Sequence, residues 1–200
     1  PIEVICANGD TIEFADGAYN AATLATNFTG DYIHMIDKAV TLKATNAGNV
    51  TFSFTDTLYG IRYDGEWGGL TSSIEGIRFI AEAGNTPQYQ IGIKNDSVTA
   101  GTLNITNCVF DDESLYTLWL SSGSAFGMNV NVSNCSFIGA TTTRSAVRFR
   151  DLATGTALVI DNCAFEANSP INPQNLIDVD AAAAGCSLSV TNSTLYSTTA

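Results

Sequence analysis

Apolar and polar residues alternate along this chain in short runs, and the runs recur. Leu103-Asn-Ile-Thr-Asn-Cys-Val-Phe110, Val130-Asn-Val-Ser-Asn-Cys-Ser-Phe137, Leu158-Val-Ile-Asp-Asn-Cys-Ala-Phe165 and Leu188-Ser-Val-Thr-Asn-Ser-Thr-Leu195 share one outline. It reads apolar, polar, apolar, polar, Asn, Cys or Ser, any residue, large apolar. The first half is the alternation of a strand with one face in and one face out. The Asn marks a bend, because Asn and Gly most readily take the left-handed backbone conformation. An earlier copy, Ile74-Glu-Gly-Ile-Arg-Phe79, carries Gly76 at that place. The shared position moves from 76 to 107, 134, 162 and 192, in steps of 31, 27, 28 and 30 residues.

A second kind of strand recurs between copies of the first. Ile61-Arg-Tyr-Asp64, Ile91-Gly-Ile-Lys94, Leu118-Trp-Leu-Ser121, Val147-Arg-Phe-Arg150 and Ile177-Asp-Val-Asp180 start 30, 27, 29 and 30 residues apart. Two registers with one period are the signature of a repeat architecture in which each coil stacks on its neighbour. Stacked coils with one Asn or Gly turn each predict an all-β chain, a single-stranded right-handed parallel β-helix of about six to seven coils. Asp10–Tyr19 reads as its first strand and turn, and Val40–Ala44 with Thr51–Phe54 as the following coil. Alternation turns Ile61, Ile91, Leu118, Val147 and Ile177 inward, together with Tyr63, Ile93, Leu120, Phe149 and Val179. Phe79, Phe110, Phe137 and Phe165, ending in Leu195, form another inner column, expected as offset-stacked rings.

These repeats resemble the pectin-lyase-like right-handed parallel β-helix superfamily, which holds both tailspike or adhesin-like and pectate-lyase-like proteins. Val159-Ile-Asp-Asn-Cys-Ala-Phe165 is similar to a pectate-lyase strand-turn-strand segment, with Asn162 where those enzymes often have His. Gly9-Asp-x-Ile12 and Gly17-Ala-Tyr19 are similar to the opening common in the superfamily. The resemblance implies the fold, not the chemistry, since enzymes and non-enzymes share it. The catalytic signatures of its enzymes are missing. Pectate lyases use Arg-x-Pro-x-x-Arg, and no Pro here has Arg two residues before it. Polygalacturonases use Gly-His-Gly, whereas the one His, His34, sits in Ile-His-Met. The downstream Asp motifs of pectin methylesterases are not recognisable.

Composition agrees with a strand-rich chain. The 200 residues are 45% hydrophobic and only 14% charged, which suits one β-helix domain spanning 1–200, as a whole protein or as part of a longer chain or assembly. A net charge of −12 argues against nucleic acid or an anionic membrane surface as partner. No apolar run reaches the roughly 20 residues of a membrane span. Of the five Cys, Cys108, Cys135 and Cys163 share one column. They read as small buried hydrophobes rather than metal ligands, since a zinc site needs about four convergent ligands. No cofactor, metal or catalytic residue is expected.

The candidate chemistry lies on the outward positions of the second strand: Arg62 and Asp64, Gly92 and Lys94, Trp119 and Ser121, Arg148 and Arg150, Asp178 and Asp180. Four of the eight basic residues of an acidic chain fall on this face, with a Trp between them. In the superfamily this face lines the polysaccharide groove. The resemblance therefore implies a glycan-binding role for Trp119, Arg62, Lys94, Arg148, Arg150, Asp178 and Asp180. Trp119 would stack on a sugar ring, while Arg and Asp would bond hydroxyls or uronate carboxylates. The competing reading is a ladder of opposite charges, Arg148 beside Asp178 and Arg150 beside Asp180, which needs no ligand. Asp178 with Asp180, and Asp111-Asp112-Glu113, are carboxylate pairs of a kind glycosidases use, or simply solvated acids.

The expected function is an extracellular structural or adhesive module of a virion spike or cell-surface protein, binding polysaccharide or surface glycan. The alternative is a polysaccharide lyase or glycoside hydrolase acting in the same groove. Loops at 64–71, which includes Trp67, and at 81–90, 121–128 and 166–175 fall on one edge of the stack. The last coil runs out at Ser197-Thr-Thr-Ala200 without a visible cap, so a neighbouring domain or subunit, or a homo-oligomer contact, is expected over it. Asn-x-Ser/Thr triplets at Asn27, Asn49, Asn95, Asn104, Asn131, Asn134 and Asn192 are explained largely by turn composition.

Overall fold

Left-handed backbone falls where the repeat puts Asn or Gly. In the computed structural model φ is 55° at Asn107 and Asn134, 51° at Asn162 and Asn192, and 71° at Gly76. The coordinates describe residues 6–20, 31–55, 59–64, 68–81, 89–93, 99–111, 116–121, 127–138, 146–152, 154–167, 176–182 and 184–197. The turns stand one above another. Asn107 N–H donates to the Ser133 carbonyl, Asn134 to Asp161 and Asn162 to Thr191, each at 3.1 Å. Gly replaces Asn in the third coil for a local reason. A Cβ at Gly76 would stand 3.0 Å from Ala47 Cα in the coil below.

Among the described residues the regular elements are all strands, arranged in three parallel sheets. The first sheet holds the strand before each turn: Thr11–Phe14, Thr41–Ala44, Thr71–Glu75, Gly101–Thr106, Met128–Ser133, Ala157–Asp161 and Ser187–Thr191. The second holds the strand after it: Gly17–Tyr19, Val50–Phe54, Ile77–Ala81, Val109–Asp111, Ser136–Ile138, Ala164–Ala167 and Thr194–Ser197. The third closes the coil with Asp31–Ile36, Tyr59–Asp64, Tyr89–Ile93, Tyr116–Ser121, Val147–Leu152 and Ile177–Ala182. Among the described residues, seven strands in each of two sheets and six in the third make a parallel β-helix of seven coils. Parallel crossovers of this kind wind right-handed.

Strand periodicity builds the interior. Gly101–Thr106 and Met128–Ser133 alternate buried and half-buried residues along their length. Register then sets like upon like: Ile61, Ile91, Leu118, Val147 and Ile177 align, as do Ile74, Ile105, Val132, Ile160 and Val190. The phenylalanine column packs as near-parallel rings. Centroids lie 5.0 Å apart for Phe79–Phe110, 4.8 Å for Phe110–Phe137 and 4.5 Å for Phe137–Phe165, with interplanar angles of 15° or less. Such pairs add roughly 0.5–1.5 kcal/mol each beyond area burial.

The cysteine column does more than fill space. Cys108, Cys135 and Cys163 are buried thiols, and each Sγ donates to the carbonyl two residues back at 3.2–3.3 Å. Ser193 takes the same position in the next coil, and its Oγ makes the same bond to Thr191 O at 2.8 Å. Hydrogen bonding to Cys108 and then burial push the Cys135 thiol far above the usual range, and hydrogen bonding to Cys135 and then burial do the same to Cys163.

One expectation changes at the end of the stack. The alternation places Leu195 in the inner Phe column and Val179 on the inner face of the third sheet, and both are in register there. Yet they are 52% and 50% exposed, because no coil lies on the last one among the described residues. Among those residues, no helix is long and apolar enough to cross a membrane.

Candidate functional site

The outward face of the third sheet is set by alternation. Where Ile33, Ile61, Ile91, Leu118, Val147 and Ile177 point in, the next residue points out. Register therefore lines up His34, Arg62, Gly92, Trp119, Arg148 and Asp178 as one column across six coils. At about 4.8 Å per coil the column is roughly 24 Å long. Two residues on, Ser121, Arg150 and Asp180 align in a second column, with Asp64 in the corresponding place on its own strand. Lys94 and Trp67 lie outside the described residues, as do Asp112 and Glu113. The side chains of Ser121, Arg150 and Asp180 are likewise outside them, although their backbone register is not.

Sheet pairing brings opposite charges together along this line. Arg148 Nε stands 3.6 Å from Asp178 Oδ2 on the next coil, as the ladder reading requires. Arg62 pairs with Asp64 along its own strand, and His34 Nε2 lies 3.6 Å from the same Asp64 oxygen. These side chains keep 10–29% of their surface exposed. The face is therefore a partly sheltered strip rather than an open wall, and its charges are screened less than those of fully solvated pairs.

Trp119 occupies the middle of the strip. Its register partner one coil back is Gly92, which offers no side chain. The indole stacks on Tyr89 with ring centroids 4.7 Å apart at 30°. Tyr89 holds one face of the indole, and a half-buried Trp fixed in this way is a rigid platform. The sequence repeat starts this strand at Ile91 and puts Tyr89 in the 81–90 loop, whereas the strand runs Tyr89–Ile93. The signal was nonetheless present, because Tyr59, Tyr89 and Tyr116 share one register position. His34, which the sequence shows only in an Ile-His-Met context unlike Gly-His-Gly, lies on a strand of the same sheet.

The other candidates do not build a site. Asp111 pairs with Arg78 on the exposed side of the second sheet. A notch of about 250 Å³ runs along the turn column, between Asn134, Asn162 and Asn192. Its amides bond to one another or to Asp161: Asn162 Nδ2 to Asn134 Oδ1 at 2.7 Å, and Asn192 Nδ2 to Asp161 Oδ1 at 2.8 Å. Among the described residues, no group of three His, Cys, Asp or Glu is placed to hold a metal ion.

Comparison with known proteins gives little. No protein-family model matches the chain, and none of the curated proteins does. Among solved structures it is similar to a PL6 family alginate lyase, AlyGC, at 12% sequence identity and a TM-score of 0.40. That match covers 96% of this chain and 37% of the lyase, so the chain spans little more than a third of its length.

Proposed function

We propose that this chain is an extracellular structural or adhesive β-helix module, of a virion spike or cell-surface protein, that binds glycan along the Trp119 strip. The observation that carries the reading is the Trp119–Tyr89 stack, held between the Arg62 and Arg148 coils. Sugar rings present axial C–H groups that pack on an aromatic face, and their hydroxyls or carboxylates accept from guanidinium groups. A rigid aromatic platform flanked by charges along a straight strip suits an extended polysaccharide better than a small molecule.

The test is retention on an array of neutral and uronate-bearing polysaccharides. The intact protein should be retained on at least one class, and Trp119→Ala should abolish that retention. Equal retention by both proteins would reduce the strip to a charge ladder.

A second reading, a polysaccharide lyase or glycoside hydrolase working in the same groove, is favoured by one observation. His34 stands beside Asp64 and Arg62 at one end of the strip, which places a titratable base next to a carboxylate and a guanidinium. Incubation with acidic and neutral polysaccharides, following reducing ends and unsaturated product, separates the two. Turnover that disappears in His34→Gln or Asp178→Asn would replace the adhesive reading with the enzymatic one.

A further inference from the structure

The outer faces of the three sheets carry different chemistry. The third sheet presents Arg62, Trp119, Arg148 and Asp178, and the second presents the Arg78–Asp111 pair and Glu166. The first sheet is unlike either. Its middle outward column runs through Ser73, Asn104, Asn131, Val159 and Ser189. Parallel columns lie two residues to either side, from Thr71 to Ser187 and from Glu75 to Thr191. All fifteen residues are half-buried or exposed, and eleven of them are Thr, Ser or Asn. Lys, Arg and aromatic residues are absent from the fifteen, although the second and third sheets carry them outward. Glu75 and Asp161 are the charged members, and Asp161 is tied to Thr191 Oγ1 at 2.7 Å.

The face is also regular. The Phe79, Phe110, Phe137 and Phe165 ring planes on the same coils differ by only 4–15° from one coil to the next. Neighbouring strands of an ordinary sheet rotate by roughly 20–25°, so little twist accumulates here. A side-chain bond fixes the middle column: Asn131 Nδ2 donates to Asn104 Oδ1 at 2.9 Å.

We propose that the outer face of the first sheet binds ice. Its groups repeat about every 4.8 Å across coils and about every 6.6 Å along a strand, each within roughly a tenth of an oxygen repeat in hexagonal ice. Short hydroxyl and amide groups held in such rows anchor a matching layer of ordered water, and a fixed array loses little side-chain entropy on binding. Charge complementarity points the same way, since a nearly neutral face on a chain of net charge −12 suits a neutral ligand. Other occupants would find little to hold them. A glycan packs on the kind of aromatic platform that the third sheet has and this face lacks. Nucleic acid is held by basic groups, and protein interfaces draw their energy from Trp, Tyr and Arg. A small molecule calls for a concave pocket rather than a flat lattice. This inference does not depend on glycan binding at the Trp119 strip, which lies on another sheet.

The test grows ice slowly from a dilute solution of the intact protein, measures how the protein partitions into it, and follows single crystals by microscopy. The protein should be enriched in the ice, should facet the crystals and should hold their growth below the melting point. Asn131→Lys sets a long charged side chain at the centre of the array and should abolish all three. Lys43 already stands outward and exposed on this sheet, so the fold accommodates such a residue, and the circular dichroism spectrum should not change. Thr102→Lys, which leaves the Asn104–Asn131 bond in place, should act in the same way. Trp119→Ala, on the third sheet, should leave ice binding intact. Four results would each overturn the proposal. They are exclusion of the wild type from ice with unfaceted crystals, enrichment unchanged in both Lys variants, loss of enrichment in a folded Trp119→Ala protein, and retention on crystalline cellulose or chitin in place of ice.

Discussion

Asn162 donates its side-chain Nδ2 to Asn134 Oδ1 at 2.7 Å, one coil to the next, and both residues hold φ above 50°. One residue type thus does two jobs in the corner. Its backbone tolerates the left-handed turn, and its amide ties adjacent turns together. Asn162→Ala loses both, and an ordinary L-residue at such φ costs roughly 1–2 kcal/mol. Asn162→Gly keeps the turn and loses only the ladder bond. Urea denaturation should rank the proteins wild type, Gly, then Ala. An Ala variant as stable as the Gly variant would mean that the turn is not strained.

Phe137 lies between two rings, 4.8 Å from Phe110 and 4.5 Å from Phe165, and is 3% exposed. Removing it opens the interior on both sides at once. Phe137→Ala should cost roughly 3–5 kcal/mol, read as a shift of the denaturation midpoint at unchanged slope. A loss below about 1 kcal/mol would mean that the column collapses around the gap.

Asp161 fastens the last coil. Its Oδ1 accepts from Thr191 Oγ1 at 2.7 Å and from Asn192 Nδ2 at 2.8 Å. Those bonds to the ionised form, Thr191 first, hold its pKa below the ordinary carboxylate value. A lowered folded pKa gives stability that is complete above the unfolded value of about 4 and is lost as pH falls through the folded value. Amide hydrogen exchange at Thr191 and Asn192 should therefore be slower in the wild type than in Asp161→Asn at pH 6. The difference should close as the pH falls well below about 4. A difference that survives acidification would assign the effect to side-chain shape instead of charge.

Arg148 and Asp178 meet across a coil junction at 3.6 Å with 19% and 29% of their side chains exposed. A double-mutant cycle with Arg148→Ala and Asp178→Ala should give a coupling of roughly 0.2–1 kcal/mol, falling with added salt. Zero coupling at low salt would remove the ladder as a stabilising feature and leave these charges for a ligand.

Much of this architecture could be read from the chain because repetition encodes it twice. Asn107, Asn134, Asn162 and Gly76 announce the turns, and Ile61, Ile91, Leu118, Val147 and Ile177 announce the third sheet in the register observed. The first strand of that sheet, Asp31–Ile36, went unread, although Ile33 and Met35 alternate there and pair with Ile61 and Tyr63. A single polar-flanked copy carries too little apolar pattern to stand out from a loop. The exposure of Leu195 and Val179 was invisible for a different reason: alternation assigns a side chain to a face but cannot say whether anything covers that face. Trp119 and its charged neighbours were legible as positions. The stack on Tyr89 was not, because ring contacts arise from side-chain packing at a strand end, beyond the reach of a two-residue period.

All that is assigned to the Trp119 strip depends on coils stacking in order, and one distance tests that order. Thr11 and Ser189 are exposed on the first sheet and belong to one register column, through Thr41, Ser73, Asn104, Asn131 and Val159. Six steps of about 4.8 Å separate them by roughly 29 Å. Nitroxide labels at Thr11→Cys and Ser189→Cys, in a Cys186→Ser background, should give a single narrow distance distribution by pulsed electron–electron resonance. It should be centred near ~29 Å, allowing for the label tethers. A broad distribution, or a peak beyond about 40 Å, would contradict seven coils at the spacing of paired strands.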